Sequence, residues 1–251
     1  MRIRILCHNV FWFQGVPFAA DRPKGPNRTV LASLVERYRA VEPDVVCLQE
    51  IQSEEAFRLV ARALSMAGDY CPGVALAQYG GAVLRREGKR VADARSVSGI
   101  ISQRMWQMVD VPSGAGGSLR LCNVHLPSGR QVGKDAASLL RREELSVVLS
   151  HAKPPHLILG DFNEQPGGPL SEYLSERGYH DAALLADRPA QPTALGGGRG
   201  DYIWVHETVL DAVAEYCVMP RESLATAIPG KTFLSDHLPL WIALAADRLK
   251  K

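Results

Sequence analysis

Four short apolar runs in this chain each end in groups that are costly to desolvate, and that pattern narrows the folds open to it. Ile3–Leu6 leads to His8 and Asn9, and Val45–Leu48 leads to Gln49 and Glu50. Leu119–Cys122 closes on Asn123 and His125, and His156–Leu159 closes on Gly160, Asp161 and Asn163. All four read as strands, and the compact runs at Val45–Leu48 and Leu119–Cys122 read as strands covered on both faces. Burying an unpaired polar group costs roughly 2–7 kcal/mol, so core packing alone does not end so many strands this way. In α/β architectures such ends converge on a ligand crevice.

The intervening segments fit that picture. Asn27 is placed to cap a helix from about Arg28 to Val41, with Val30, Leu31, Leu34, Val35 and Tyr38 on one face and Pro43 after it. Ser53 opens a second helix, and a third spans about Lys134 to His151. Arg2 to Phe13 reads as one strand. Tyr70 to Val111 is strand-like, broken by Gly80 and Gly81 and by a basic stretch, Arg85, Arg86, Lys89 and Arg90, which reads as a hairpin tip, either touching a polyanion or simply solvated. Pro169 to Arg177 predicts a short helix, Tyr202 to Val205 a strand, and Pro239 to Ala245 a last strand. Without a linker, repeat or low-complexity tract, residues 1–251 read as a single domain. The order β–α–β–α, strands, β–α–β–α, strands suggests an α/β (α+β) protein of two packed sheets with helices outside.

Composition excludes several classes. The net charge of +2 is too small to argue for nucleic acid without clustering. The five cysteines are odd in number and widely spaced, so neither a disulfide framework nor a zinc site is expected. No apolar stretch approaches the ~18 residues of a membrane span, and the N-terminus lacks a secretory apolar region. A reduced, cytoplasmic protein with no evident protein partner is the expectation.

The donors at the strand ends are hard oxygen ligands, suited to Mg²⁺ or Mn²⁺. Two later segments add proton-transfer groups. Asp201 begins a strand, and Asp236 directly precedes His237. Neighbouring side chains in an extended segment point oppositely, so Asp236 and His237 need a bend to serve one site.

Taken in order, Leu48-Gln49-Glu50, Asn123-Val124-His125-Leu126, Gly160-Asp161-Phe162-Asn163, Asp201-Tyr202-Ile203-Trp204 and Ser235-Asp236-His237 resemble the endonuclease/exonuclease/phosphatase superfamily with the deoxyribonuclease I-like fold. The resemblance spans nearly the whole chain, and Asn9 fits it too. It implies a four-layer sandwich, with two mostly antiparallel sheets flanked by helices. It also implies metal binding by Asn9, Glu50 and Asp236, with Asp161 orienting water or binding a second metal. Asn163 and His237 would then meet the phosphate, Asp201 would hold His237, and His125 would be the second histidine. The implied activity is Mg²⁺- or Mn²⁺-dependent phosphoester hydrolysis, nuclease-like and directed at diesters, with nucleic acid among the substrates. A phosphomonoesterase on sugar, inositol or lipid headgroup phosphates is the alternative, followed by a catalytically silent binding module.

Arg141, on the helix after His125, is placed to reach a substrate phosphate, though a solvated face explains it equally. An imidazole near its ordinary pKa suits proton transfer, which applies to His125 and His237 alike. His8 reads as structural, facing away from Asn9. Asp181 reads as a helix cap. His151, His156, His180 and His206 lie outside any motif.

Overall fold

The computed structural model describes residues 1–18, 23, 25–96, 102–114, 117–189 and 191–249. Among these residues, twelve strands make up two six-stranded sheets. The first sheet has the order β11-β12-β1-β2-β4-β3, from Val213–Val218, Leu240–Ala245, Arg2–Asn9, Val45–Ile51, Gly80–Arg85 and Ala67–Cys71. The second has the order β5-β6-β7-β8-β10-β9, from Lys89–Asp93, Met105–Pro112, Ser118–His125, Leu157–Asp161, Asp201–His206 and Tyr179–Asp181. Each sheet is antiparallel except at its centre, where β1 runs parallel to β2 and β7 parallel to β8. The helices are α1 (Arg28–Val41), α2 (Glu54–Leu64), α3 (Gly129–Val132), α4 (Lys134–Leu149), α5 (Pro169–Ser175) and α6 (Ala182–Leu185).

Period-two alternation builds the layers. On β7, Leu119 and Leu121 join the seam between the sheets, whereas Cys122 and Val124 pack outward beside Leu145 and Val148 of α4. On β8, Leu157 and Leu159 lie in the seam and Ile158 faces out; on β10, Ile203 and Val205 face in and Tyr202 and Trp204 out. Val30, Leu34 and Tyr38 of α1 and Ala56 and Val60 of α2 cover the first sheet. This is the expected four-layer arrangement. All five cysteines are free, and Cys7, Cys47, Cys71 and Cys122 are buried. Among the described residues, no helix is long and apolar enough to cross a membrane.

The structure differs from the sequence expectation in two places that matter below. The first strand stops at Asn9 rather than Phe13, because Phe11, Trp12 and Phe13 turn through φ of 48°, 50° and 53°. The basic stretch is not a hairpin tip. Residues 86–88 pass from β4 in one sheet to β5 in the other, and Arg85 is buried against Asp69 at 2.6 Å.

Polar contacts lock the sheets together deep in the seam. Gln49 Nε2 donates to Asn123 Oδ1 at 2.6 Å, and Asn123 Nδ2 donates to the carbonyls of Leu48 and Ala82 at 3.1 and 3.3 Å. Asn123, fully buried, is therefore a tie between β7 and the opposite sheet.

Candidate active site

The inner-face alternation that buries Leu119, Leu157 and Ile203 brings His125, Asp161 and Asp201 to one end of the second sheet. Asp161 and Asp201 are direct register partners across β8 and β10, and His125 pairs with Asp161 across β7 and β8. Gly160 allows this convergence. Its φ is 144°, and a Cβ there would lie 1.9 Å from the Val124 carbonyl oxygen.

The first sheet supplies Asn9 and Glu50 from the parallel pair opposite. Asn9 Nδ2 donates to Asp161 Oδ2 at 3.1 Å, while its Oδ1 accepts from the Phe11 amide at 3.1 Å. Simple alternation would turn Glu50 away from Gln49 and out of the site. A β-bulge between Gln49 and Ile51, with Glu50 at φ 57°, re-aims it instead. Its Oε1 lies 3.7 Å from Arg104 Nη1 and 3.9 Å from His125 Nε2.

The bend required before His237 is present. Ser235 Oγ donates to the Asn9 carbonyl at 2.8 Å and accepts from the His237 amide at 3.2 Å. His8 secures the same segment from the far face of β1. Its Nε2 meets the His237 carbonyl at 3.0 Å, which makes Nε2 the donor, so Nδ1 accepts from Tyr38 Oη at 2.6 Å. Burial lowers the His8 pKa to about 3, so it stays neutral. His237 Nδ1 in turn donates to Asp201, at 2.9 Å from Oδ2 and 3.1 Å from Oδ1, and Thr193 Oγ1 donates to Asp201 Oδ2 at 2.7 Å.

The two imidazoles are held in opposite protonation states, unlike the common near-neutral behaviour expected of them. Burial, then Arg104 and His237, push the His125 pKa well below its ordinary value. Arg104 Nη1 donates to His125 Nε2, and the guanidinium stacks 4.4 Å above the Tyr79 ring. Burial also disfavours the His237 imidazolium, but Asp201, Asp161 and Asp236 together outweigh it and raise that pKa well above the ordinary value. Burial raises the Glu50 pKa to about 7, with Arg104 opposing and Asp236 adding to the rise. Asp236 is raised by burial as well.

Among the described residues, Glu50, Asp161, Asp201 and Asp236 thus share a space with the cations Arg104 and His237, and Arg130 adds a smaller pull on Asp236, so the carboxyl groups outnumber the cations. Glu50 Oε2 and Asp236 Oδ1 are buried without a hydrogen-bond partner among the described residues. Unpaired buried carboxylate oxygens of this kind fit a hard divalent cation. A separate set, Asp161, Asp201 and His237, brings candidate ligand atoms within 4.8 Å of one another. In that set His237 Nδ1 is already committed to Asp201.

Asn163 sits in the left-handed region at φ 51°, where its amide N–H reaches Asp161 Oδ1 at 2.9 Å and its Nδ2 the Leu126 carbonyl at 3.0 Å. Arg141 lies behind this turn. Its guanidinium donates to the carbonyls of Pro127 and Asn163 at 3.2 and 2.8 Å and to Glu164 at 3.1 Å. It braces the Asp161–Asn163 turn from within the protein. Asp181 caps α6 through the Ala183 amide at 3.0 Å and also clasps Arg199.

Three participants carried no sequence signal. Thr193 is an isolated threonine between Pro192 and Ala194. Arg104 lies just before β6 with no motif around it. Glu144, on α4, accepts from Ser102 Oγ at 2.8 Å and the Gln103 amide at 3.0 Å, which fixes the segment that aims Arg104.

The family model for endonuclease/exonuclease/phosphatase proteins matches residues 6–237. The chain belongs to that family. The family name covers nucleases and phosphatases, both phosphoester hydrolases. Solved structures of the same fold include a functionally unknown conserved protein from Enterococcus faecalis V583, with TM-score 0.68 and 17% identity over 96% of this chain and 98% of that one. The human Nocturnin catalytic domain with bound sulfate anion aligns with TM-score 0.65 and 21% identity over 96% and 93%. D. rerio TDP2 complexed with single strand DNA product aligns with TM-score 0.64 and 20% identity over 96% and 98%. No curated protein matches significantly in sequence. At these identities the structural likenesses speak for the fold alone.

Proposed function

We propose that this chain is a Mg²⁺- or Mn²⁺-dependent phosphodiesterase, nuclease-like, with nucleic acid among its substrates. One observation carries the reading. An imidazolium, His237, is clamped by a buried carboxylate beside Asp161, next to carboxylate oxygens of Glu50 and Asp236 that have no partner. Glu50 and Asp236, with Asn9, would hold the cation, which when bound offsets charge on the phosphoryl oxygens.

The chain's own groups then divide the work. Asp161, its two oxygens oriented by Asn9 and Asn163, takes a proton from the attacking water as the new P–O bond forms. His237, protonated and held by Asp201, donates to the departing ester oxygen as the old P–O bond breaks. Asn163 contacts the phosphate. Neutral His125, whose Nε2 accepts from Arg104, helps to hold that guanidinium at the site without adding charge of its own. The single-stranded DNA product bound to the D. rerio relative supports a nucleic-acid substrate.

The test is turnover of bis-(p-nitrophenyl) phosphate, p-nitrophenyl phosphate and a single-stranded DNA oligonucleotide with Mg²⁺ or Mn²⁺. The expected result is EDTA-sensitive cleavage of the diesters, abolished in Glu50→Ala. Turnover of the monoester with inertness toward both diesters would replace this reading with a phosphomonoesterase. Absence of all three activities would leave the binding-module reading.

A further inference from the structure

The ends of β8 and β10 farthest from Asp161 and Asp201 carry a second cluster of titratable groups. His156 immediately precedes β8 and His206 ends β10, each five residues from the acid at the other end. At about 3.3 Å per residue they lie roughly 16 Å from that site, so the cluster is no subsite of it. The hollow between them measures about 770 Å³, and its walls include Asp110, Arg120, Lys153, His156, His206 and Thr208.

The hydrogen bonds fix what these rings present. His156 Nδ1 accepts from the Arg120 amide at 2.9 Å. His206 Nδ1 lies 3.3 Å from the Thr208 amide, which donates to it, and 2.9 Å from Thr208 Oγ1. A backbone N–H can only donate, so both Nδ1 atoms carry lone pairs and both Nε2 atoms carry the proton. Coordinating a metal through Nε2 would require the opposite tautomer, with two N–H groups facing each other at each ring. The hollow is built to donate. Burial, with His206 and Arg120, also lowers the His156 pKa, which keeps that ring neutral in its fixed tautomer.

The charges around the rings point the same way. Asp110 neutralises Arg120 through two contacts, at 2.7 Å from Nε and 2.8 Å from Nη2. The remaining guanidinium nitrogen donates to the Lys153 carbonyl at 2.7 Å and anchors that residue at the rim. Among the described residues no acid pairs with the Lys153 ammonium, so the hollow keeps one uncompensated positive charge beside two N–H donors.

We propose that this hollow is a binding site for a small oxyanion of the phosphate class, held by His156 Nε2, His206 Nε2 and Lys153 Nζ. It is independent of the catalytic reading above.

The test follows the imidazole Cε1–H resonances of His156 and His206 while inorganic phosphate is added, with sodium chloride at matched ionic strength as the control. Saturable shifts of both rings with one dissociation constant are expected, absent in chloride. Lys153→Met and His206→Gln should each weaken that constant by roughly tenfold, the loss of one polar contact to the anion. Cleavage of phosphodiesters should stay at the wild-type rate in both variants. A linear response up to about 20 mM phosphate would overturn the proposal, since it places any affinity above the millimolar range. Wild-type phosphate affinity in both variants would also overturn it, as would saturable binding of Zn²⁺ at the same rings.

Discussion

Asp201→Asn is the most informative single change, because it alters one charge and almost no volume. Asp201 accepts from His237 Nδ1 at 2.9 and 3.1 Å and from Thr193 at 2.7 Å, all in a buried setting. The pair of contacts to His237 is one shared, charge-assisted hydrogen bond, worth about 2–3 kcal/mol. If that energy is realised as His237 donates its proton, its loss lowers kcat by roughly 30- to 150-fold, at 1.4 kcal/mol per decade. An asparagine that turns its amide toward Nδ1 would favour the wrong tautomer and deepen the loss. The pH dependence supplies an independent check. Asp201 is one of three carboxylates that raise the His237 pKa, so the variant should deprotonate at lower pH. Its activity should therefore decline at lower pH than the wild type on the alkaline side. The assay is initial rates on bis-(p-nitrophenyl) phosphate across pH, with the Mn²⁺ half-saturation measured beside it and expected to be unchanged. A kcat within about threefold of wild type, or an alkaline limb that does not move, would refute the role assigned to the pair.

Other consequences can be measured without a substrate. Burial raises the Glu144 pKa to about 7 from an ordinary 4.5, so the folded state holds a proton that the unfolded state has released between those values. Stability contributed by that proton is present below pH 4.5 and is lost as pH rises toward 7, on the order of 3 kcal/mol. Glu144→Gln should flatten that dependence in urea titrations, best seen in a Glu50→Gln background because Glu50 titrates over the same range. Asn123→Ala removes the seam tie and strands Gln49 and two carbonyls, and should cost on the order of 3 kcal/mol in denaturant midpoint analysis. Gly160→Ala drives a Cβ into the Val124 carbonyl and should lower the melting temperature markedly, because β8 must leave β7.

How much of this was legible in the sequence depended on whether the signal was local. Asn9, His125, Asp161 and Asp201 are legible because the first three end an apolar strand and Asp201 begins one, and alternation decides which face each takes. The same rule separates His8 from Asn9, and Tyr38 on α1 receives His8 as that rule requires. The position of Glu50 after Val45–Leu48 is legible, but its aim is not, since the left-handed bulge that turns it breaks the alternation. Arg104 and Thr193 were invisible because their roles arise from contacts across 54 and eight residues of chain, with no pattern nearby. Arg141 shows the converse. A plausible helix position suggested phosphate contact, and burial against Glu164 and two carbonyls made it a brace. The strand β11 gives no sequence signal, because an edge strand with residues 214 and 215 exposed shows no clear alternation.

The bond from Asn9 to Asp161 crosses from one sheet to the other at the heart of the site. Glu50 and His125 approach each other over the same gap. The site therefore behaves as a vernier on the alignment of the two sheets. A slip of one sheet past the other by a single ångström would leave each strand intact, and with it most spectroscopic signs of folding, yet would part the donors from their acceptors. Catalytic rate in this chain should be a finer gauge of sheet alignment than circular dichroism or melting temperature. Substitutions in the seam, far from any substrate, should be detected first as lost turnover.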